Sequence, residues 1–290
     1  MRAIDMHVHV PRQPGLAETT IEAPLRRYFR VKSAPEDASQ MAALYREWDI
    51  LGVIFSVDSE ASTGEPPDTN DYVAEIVRAY PDQFIGFASV DPWKGQAGVE
   101  ELERSVTELG LKGLKLHPIH QAFFPDDTRF YPLYEKCQEL GVPLLMHTGF
   151  AAAGVGMPGG GGYKLKYSRP IPGVDDVAAD FPDLTIIMAH PAWPWVEEQI
   201  AVALHKPNVY LDLSGWAPRF IPEVLVRETN TRLSDKVLFG SDFPYLTPDR
   251  WLSGFEDLSI RDEVRPKVLL DNARRVLGLY VTYRRHGLVR

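Results

Sequence analysis

The sequence predicts an α/β fold, a (β/α)8 barrel of the TIM type, on three observations. Strand-like and helix-like segments alternate along the 290 residues, and such alternation yields a parallel sheet with crossover helices. The alternation repeats eight times. His7, His9, His147, His190 and Asp242 each fall at or beside the C-terminal end of an apolar, strand-like run, and strand ends converge on one face of a parallel barrel. An open doubly wound sheet is the competing architecture, but no Gly-x-Gly-x-x-Gly follows the first strand.

Strands are expected at 3–9, 50–57, 84–90, 111–117, 142–148, 184–190, 208–213 and 236–242, as short apolar runs rich in Val, Ile, Leu and Phe. Helical patterns lie near 36–48, 70–80, 96–109, 130–140, 173–180, 194–204, 219–228 and 261–277. Ser39 or Asp37 marks the start of the first, and Asp68 or Asn70 the start of the second. Tyr80-Pro81-Asp82 and Phe181-Pro182-Asp183 each separate a helix from the next strand, because Pro stops the helix and Asp favours a turn. One barrel domain is expected over 1–290. Long rim loops are expected at 10–35, 149–172 and 243–260, each following a strand with a candidate site residue. Gly159-Gly160-Gly161-Gly162 in the second favours a mobile lid.

A composition of 44% hydrophobic and 24% charged residues suits a globular protein with a large core. The net charge of −9 argues against nucleic acid or an anionic membrane as partner. Cys137, the single cysteine, reads as a small buried residue on an amphipathic helix. With no signal-peptide pattern before the first strand and no apolar run long enough for a bilayer, a cytoplasmic protein is expected.

His7 and His9 lie two residues apart on one strand, so their rings face the same side. Two imidazoles at that spacing, with a third imidazole and a carboxylate, suit Zn²⁺ or a similar divalent ion. A His-x-His alone says little. Its recurrence with donors at other strand ends is what points to a metalloenzyme.

Ile4-Asp5-Met6-His7-Val8-His9, Lys115-Leu116-His117-Pro118, His147-Thr148-Gly149, Ala189-His190-Pro191 and Gly240-Ser241-Asp242-Phe243-Pro244 together resemble the amidohydrolase superfamily. The resemblance is to the amidohydrolase-related branch that includes aminocarboxymuconate-semialdehyde decarboxylase and γ-resorcylate decarboxylase. It implies that His7, His9, His147 and Asp242 hold one divalent metal, usually zinc and sometimes manganese, and that His190 moves protons. A metal with an open position activates bound water, and a base with a pKa near 7 completes the step. Whether His190 or Asp242 is that base stays open. Lys115 and His117 share a strand face and are expected to bind an anion or to support the ligands. A carboxylated Lys115 bridging two metals is the competing reading.

Arg12, Tyr163, Lys164, Lys166, Arg169, Trp193, Trp195, Trp216 and Arg219 offer cations and aromatic rings near the mouth. Of these, Arg169, Trp193 and Trp216 are the candidate substrate contacts, for a small anionic or aromatic molecule. His120 and His205 read as surface residues, and His286 as part of an arginine-rich tail. Asp5 is expected to share the face of His7. The expected activity is metal-dependent hydrolysis of a carbonyl-type bond in a lactone, ester, amide or β-ketoacyl thioester, or beside a carbonyl carbon. The alternative is non-oxidative decarboxylation of an aromatic or muconate-type acid. A homodimer is compatible with the resemblance.

Overall fold

The computed structural model describes residues 1–279; His286 lies outside them. The strands are β1 (Ala3–His9), β2 (Ile50–Phe55), β3 (Phe84–Gly86), β4 (Ala88–Ser89), β5 (Leu114–Leu116), β6 (Leu144–His147), β7 (Ile186–Ala189), β8 (Val209–Asp212) and β9 (Val237–Leu238). All pair parallel and in chain order, as β1-β2-β3 and β4-β5-β6-β7-β8-β9. β3 and β4 occupy one strand position interrupted at Phe87. The Phe87 N–H donates to Ile54 O at 2.9 Å, and that of Ala88 donates to Gly113 O at 2.8 Å, so the chain changes partner between them. Across the seam between β9 and β1, Met6 N–H reaches Phe239 O at 2.9 Å, Asp242 N–H reaches His7 O at 3.0 Å and His9 N–H reaches Phe243 O at 2.8 Å. The eight expected strand positions therefore form the ring of a (β/α)8 barrel, with donors from its first and last strands in direct register.

Two apolar layers hold the ring. Ile4, Met6, Val53, Phe55, Phe87, Leu145, Ile187 and Leu238 fill the interior, and Ala273 of the last helix packs against them. The larger layer lies between strands and helices. Each fully buried Leu, Ile or Phe contributes roughly 1.5–3 kcal/mol. The helix Ala38–Glu47 starts where Asp37 accepts from the Gln40 N–H at 2.9 Å. The helix Asn70–Ala79 is capped by Thr69, which accepts from the Tyr72 N–H at 3.1 Å, rather than by the expected Asp68 or Asn70. Both predicted Pro-Asp stops follow their helices, which end at Ala79 and Asp180.

Two of the three rim loops carry a helix that the sequence reading left out: Glu22–Phe29 within 10–35, and Pro248–Glu256 within 243–260. The third, 149–172, holds only short 3-10 turns at Pro158–Gly162 and Leu165–Ser168. No helix among the described residues is long and apolar enough to cross a membrane.

β1 departs from simple alternation. Asp5 pairs with Gly52 and Val8 with Ile54, so three steps along β1 oppose two along β2. One extra residue makes a bulge, which re-aims side chains. Met6 consequently packs in the barrel interior although His7 also faces the site. Asp5 does not share the face of His7. It turns to the helix layer, where Tyr45 Oη donates to it at 2.9 Å.

Candidate active site

The bulge and the closing seam set the distances at the centre. Nε2 of His9 lies 3.1 Å and Nε2 of His7 lies 3.5 Å from the same Oδ1 of Asp242. These three donors lie within 4.8 Å of one another. Asp242 and His190 end their strand regions with left-handed backbone, at φ 71° and 69°. Non-glycine residues seldom adopt that conformation, and it concentrates at functional positions. Both side chains line the cavity at that end of the barrel.

His190 sits among the other rings, with its centroid 4.6 Å from that of His7 and 4.7 Å from that of His147. His147 stacks on His117 at 3.9 Å, and His117 on His120 at 3.7 Å. Burial holds the imidazoles of His7, His117 and His147 well below the ordinary histidine range, reinforced by neighbouring cations such as Lys115. Burial lowers His190 too, although Asp242 and Asp212 oppose that shift. For Asp242, burial works to raise the carboxyl, but the His9 hydrogen bond and the surrounding imidazoles outweigh it and hold the group below the usual carboxylate range. Neutral imidazole and ionised carboxylate are the forms that ligate a cation.

The buried Nε2 of His147 has no hydrogen-bond partner. An unpaired buried polar nitrogen is unfavourable unless something holds it. A divalent ion would answer that need; His7, His9 and Asp242 group closely enough to hold one, and His147 lies outside that 4.8 Å grouping. A second grouping, His7, His190 and Asp212, meets His7 through Nδ1, on the opposite edge of the ring from Asp242.

The donors line the floor of a cavity of about 1640 Å³. Phe55, Phe150, Trp193, Trp216 and Tyr245 contribute aromatic wall, and the helix Glu22–Phe29 contributes Tyr28 and Phe29. Lys115 is fully buried beside the floor, with Nζ 3.3 Å from Nε2 of His7, and burial lowers its ammonium to about 8.

A family model described as amidohydrolase matches residues 4–279. The chain belongs to the amidohydrolase family. It is 24% identical over 239 residues to 2-amino-3-carboxymuconate-6-semialdehyde decarboxylase of Dictyostelium discoideum, covering 72% of this chain. It spans 65% of that relative's own length, just short of two thirds. An uncharacterised TIM-barrel protein of Bordetella bronchiseptica superposes with a TM-score of 0.78 at 28% identity, over 96% of this chain and 99% of that one. A dihydroxybenzoic acid decarboxylase of Polaromonas, solved with manganese and 2-nitroresorcinol, gives a TM-score of 0.64 at 21% identity, over 96% and 97% of the two chains. Shared fold is what that last likeness shows.

Within this amidohydrolase, most of the expected site residues meet. His7, His9, His117, His147, His190 and Asp242 line the cavity, as do Trp193 and Trp216, and Lys115 backs it. Arg169 does not reach it. It is exposed, bonds Glu198 through Nη2 at 2.6 Å, and with Lys166 lines a separate cleft. Arg12 reaches the cavity wall but is held by Asp68 at 3.2 Å and by the carbonyls of Ala17 and Pro66. His205 is exposed, as expected. His120 is not a surface residue: it is partly buried, lines the cavity and closes the imidazole stack, and burial lowers it to about 3.

The sequence reading missed Asp212 and Ser214. Asp212 ends β8 and is fully buried, with Oδ2 3.3 Å from Nδ1 of His7. Ser214 Oγ lies 2.8 Å from Nδ1 of His190 and donates to Asp212 Oδ1. The signal was available, because Asp212 is an acidic residue at a strand end like Asp242.

Proposed function

We propose that this amidohydrolase is a divalent-metal-dependent, non-oxidative decarboxylase of an aromatic or conjugated carboxylic acid. The sequence reading put hydrolysis first and decarboxylation second; the decarboxylases among the relatives favour the second. The observation that carries the reading is the charge arrangement at the cavity floor. Asp242 is held ionised and the Asp212 carboxyl lies across His7 from it, Lys115 supplies a positive charge, and burial keeps the imidazoles of His7, His117 and His147 neutral. With a divalent ion on His7, His9, His147 and Asp242, the floor carries an excess positive charge in a buried setting. A substrate carboxylate neutralises it, and buried charges require such pairing.

Decarboxylation splits the C–C bond so that the carboxylate leaves as CO₂ and its electron pair stays on carbon. One proton must then reach that carbon. A divalent ion at the floor would orient the carboxylate side of the substrate and offset charge developing beside it. His190, between the rings of His7 and His147, is placed to carry the proton. The aromatic wall excludes water and receives a flat conjugated group. Lys115 pairs with anionic oxygen of the substrate. Zinc suits the three imidazoles and one carboxylate; manganese is the alternative.

Hydrolysis by activated water is supported by one observation of its own. The cavity, at about 1640 Å³, exceeds the roughly 300–1,000 Å³ of common small-molecule sites, so a larger carbonyl substrate also fits. A panel of dihydroxybenzoates, muconate-type acids, lactones and β-ketoacyl thioesters, run in D₂O with zinc or manganese, separates the two. Release of CO₂ with one deuterium on the former carboxyl-bearing carbon supports decarboxylation. Acid formation without CO₂ overturns it in favour of hydrolysis.

A further inference from the structure

We propose that Asp212 and Ser214 are positioning residues that fix the tautomers of two histidines at once. They leave Nε2 of His7 free as a donor to a metal, and Nε2 of His190 free as the atom that moves the proton. The inference rests on the roles given above to His7 and His190, and it concerns the protein before any substrate binds.

The argument is a count of protons. Oδ1 of Asp212 accepts from the His190 backbone N–H at 3.1 Å, from the Ser214 backbone N–H at 2.9 Å and from the Ser214 hydroxyl. An oxygen that accepts three donors has no room for a proton of its own, so Oδ1 acts only as an acceptor. The single hydroxyl proton of Ser214 is committed to Asp212. Ser214 Oγ therefore meets Nδ1 of His190, 2.8 Å away, with a lone pair. Nδ1 must carry the hydrogen, and Nε2 of His190 is left bare beside the cavity.

His7 meets the other carboxylate oxygen, with Oδ2 of Asp212 3.3 Å from its Nδ1. The opposite edge of the ring decides the tautomer. The Lys115 ammonium has only protons to give, and its Nζ lies 3.3 Å from Nε2 of His7, which must then be the lone-pair nitrogen. The neutral ring therefore carries its hydrogen on Nδ1 and donates it to Oδ2 of Asp212. Ring nitrogens that donate to a carboxylate make the opposite nitrogen a better ligand, and such partners commonly change metal affinity by about 10- to 100-fold.

The backbone after β8 is shaped for this contact. Gly215, at φ 72°, packs so close that a Cβ there would lie 2.8 Å from Nδ1 of His190 and 3.2 Å from Oδ2 of Asp242. Residues 212–215 therefore support both the candidate metal site and the candidate proton carrier.

The test is ¹⁵N NMR of histidine-labelled protein in metal-free, substrate-free form, with metal affinity measured alongside. The wild type should show protonated Nδ1 and bare Nε2 for both His7 and His190. Ser214→Ala should release the His190 tautomer, leave the His7 signals in place and change metal affinity by less than about 3-fold. Asp212→Asn should disturb both rings and weaken metal binding by about 10- to 100-fold. Ser214→Thr, which keeps the hydroxyl, should restore the His190 pattern. A wild-type spectrum with hydrogen on Nε2 of either ring overturns the proposal without needing any variant to fold. So does a Ser214→Ala spectrum identical to wild type. None of these readouts depends on the substrate, so a wrong reaction assignment would show in turnover and leave the tautomers as stated.

Discussion

Nζ of Lys115 lies 3.3 Å from Nε2 of His7, the ring atom that also faces Asp242. Two cations cannot share that nitrogen. When a divalent ion takes it, the ammonium must turn to another acceptor, and in this enclosed site an anionic substrate supplies one. Lys115→Met should therefore keep its metal while raising KM for an acidic substrate by about tenfold or more, a loss of about 1.4 kcal/mol. Elemental analysis and steady-state kinetics on the same preparation check this. A mass shift showing a carboxylated Lys115, or two ions per chain, would instead support the bridging arrangement.

The metal itself gives the next expectation. The grouped donors His7, His9 and Asp242, with His147 as the proposed fourth, suit one ion per chain. Because the ion binds the folded state, it should stabilise that state by about 2.7 kcal/mol when present at a hundred times its Kd. Chelation should lower Tm, and readdition of zinc or manganese should restore it. His147→Ala, which removes the nitrogen left without a partner, should shrink that metal-dependent rise in Tm. An equal rise in the variant would remove His147 from the ligand set.

How much of this was legible in the sequence depends on the distance over which each feature is decided. Strand ends are local, so the eight strand positions and the histidines at their tips could be read from apolar runs. Asp5 was misplaced because the bulge in β1 is set by pairing with Gly52 and Ile54, residues far along the chain. Arg169 was misplaced because Glu198, which captures it, is 29 residues away. His120 looked like a surface residue because nothing local says that its ring will stack on His117. The rim helix Glu22–Phe29 was hidden by a short, polar sequence in which only Leu25 is buried, whereas Pro248–Glu256 carries a legible helical stripe of Trp251, Leu252 and Phe255. Asp212 was within reach of the strand-end argument, but Ser214 becomes meaningful only when β7 and β8 lie side by side.

His120 also predicts a dependence of stability on acidity. Burial lowers its imidazole from 6.5 to about 3 in the folded chain. Between these values the unfolded state binds more protons than the folded one, so stability is full above about pH 6.5 and falls as the pH drops below it. From about pH 7.5 to about pH 5 this single group accounts for up to about 2 kcal/mol, an upper bound for a ring that keeps some contact with the cavity. His120→Gln should flatten the acid side of the stability curve by a comparable amount. Urea titrations at the two pH values measure it, and parallel curves for wild type and variant would count against the buried, neutral imidazole.

The 149–172 segment should exchange its backbone hydrogens faster than the strands. Gly159, Gly160 and Gly161 sit at φ 60–63°, and residues 159–162 are all exposed. Such segments open at low free energy. Tyr163 lines the cavity, with its ring 5.3 Å from that of His120, so a ligand in the cavity has a direct hold on the segment. Hydrogen exchange should slow across 150–165 on addition of a substrate analogue. Slow exchange in the free protein, unchanged by ligand, would show a rigid wall instead.

The last expectation separates proton transfer from metal binding. His190 stands 4.6 Å from His7, ring to ring, and its Nδ1 is engaged by Ser214. The proposed donor set of His7, His9, His147 and Asp242 does not include it. A residue that moves protons without holding the ion can be replaced with the metal retained. His190→Asn should therefore keep metal content and Tm near wild type while kcat falls by about two to four orders of magnitude, the usual contribution of a positioned acid–base group. KM should change little, because the loss falls on the transition state. In D₂O the residual turnover should show a larger solvent isotope effect if proton delivery to carbon has become the slow step. If the variant loses its ion together with its activity, His190 is a ligand. If it keeps full activity, Asp242 carries the proton.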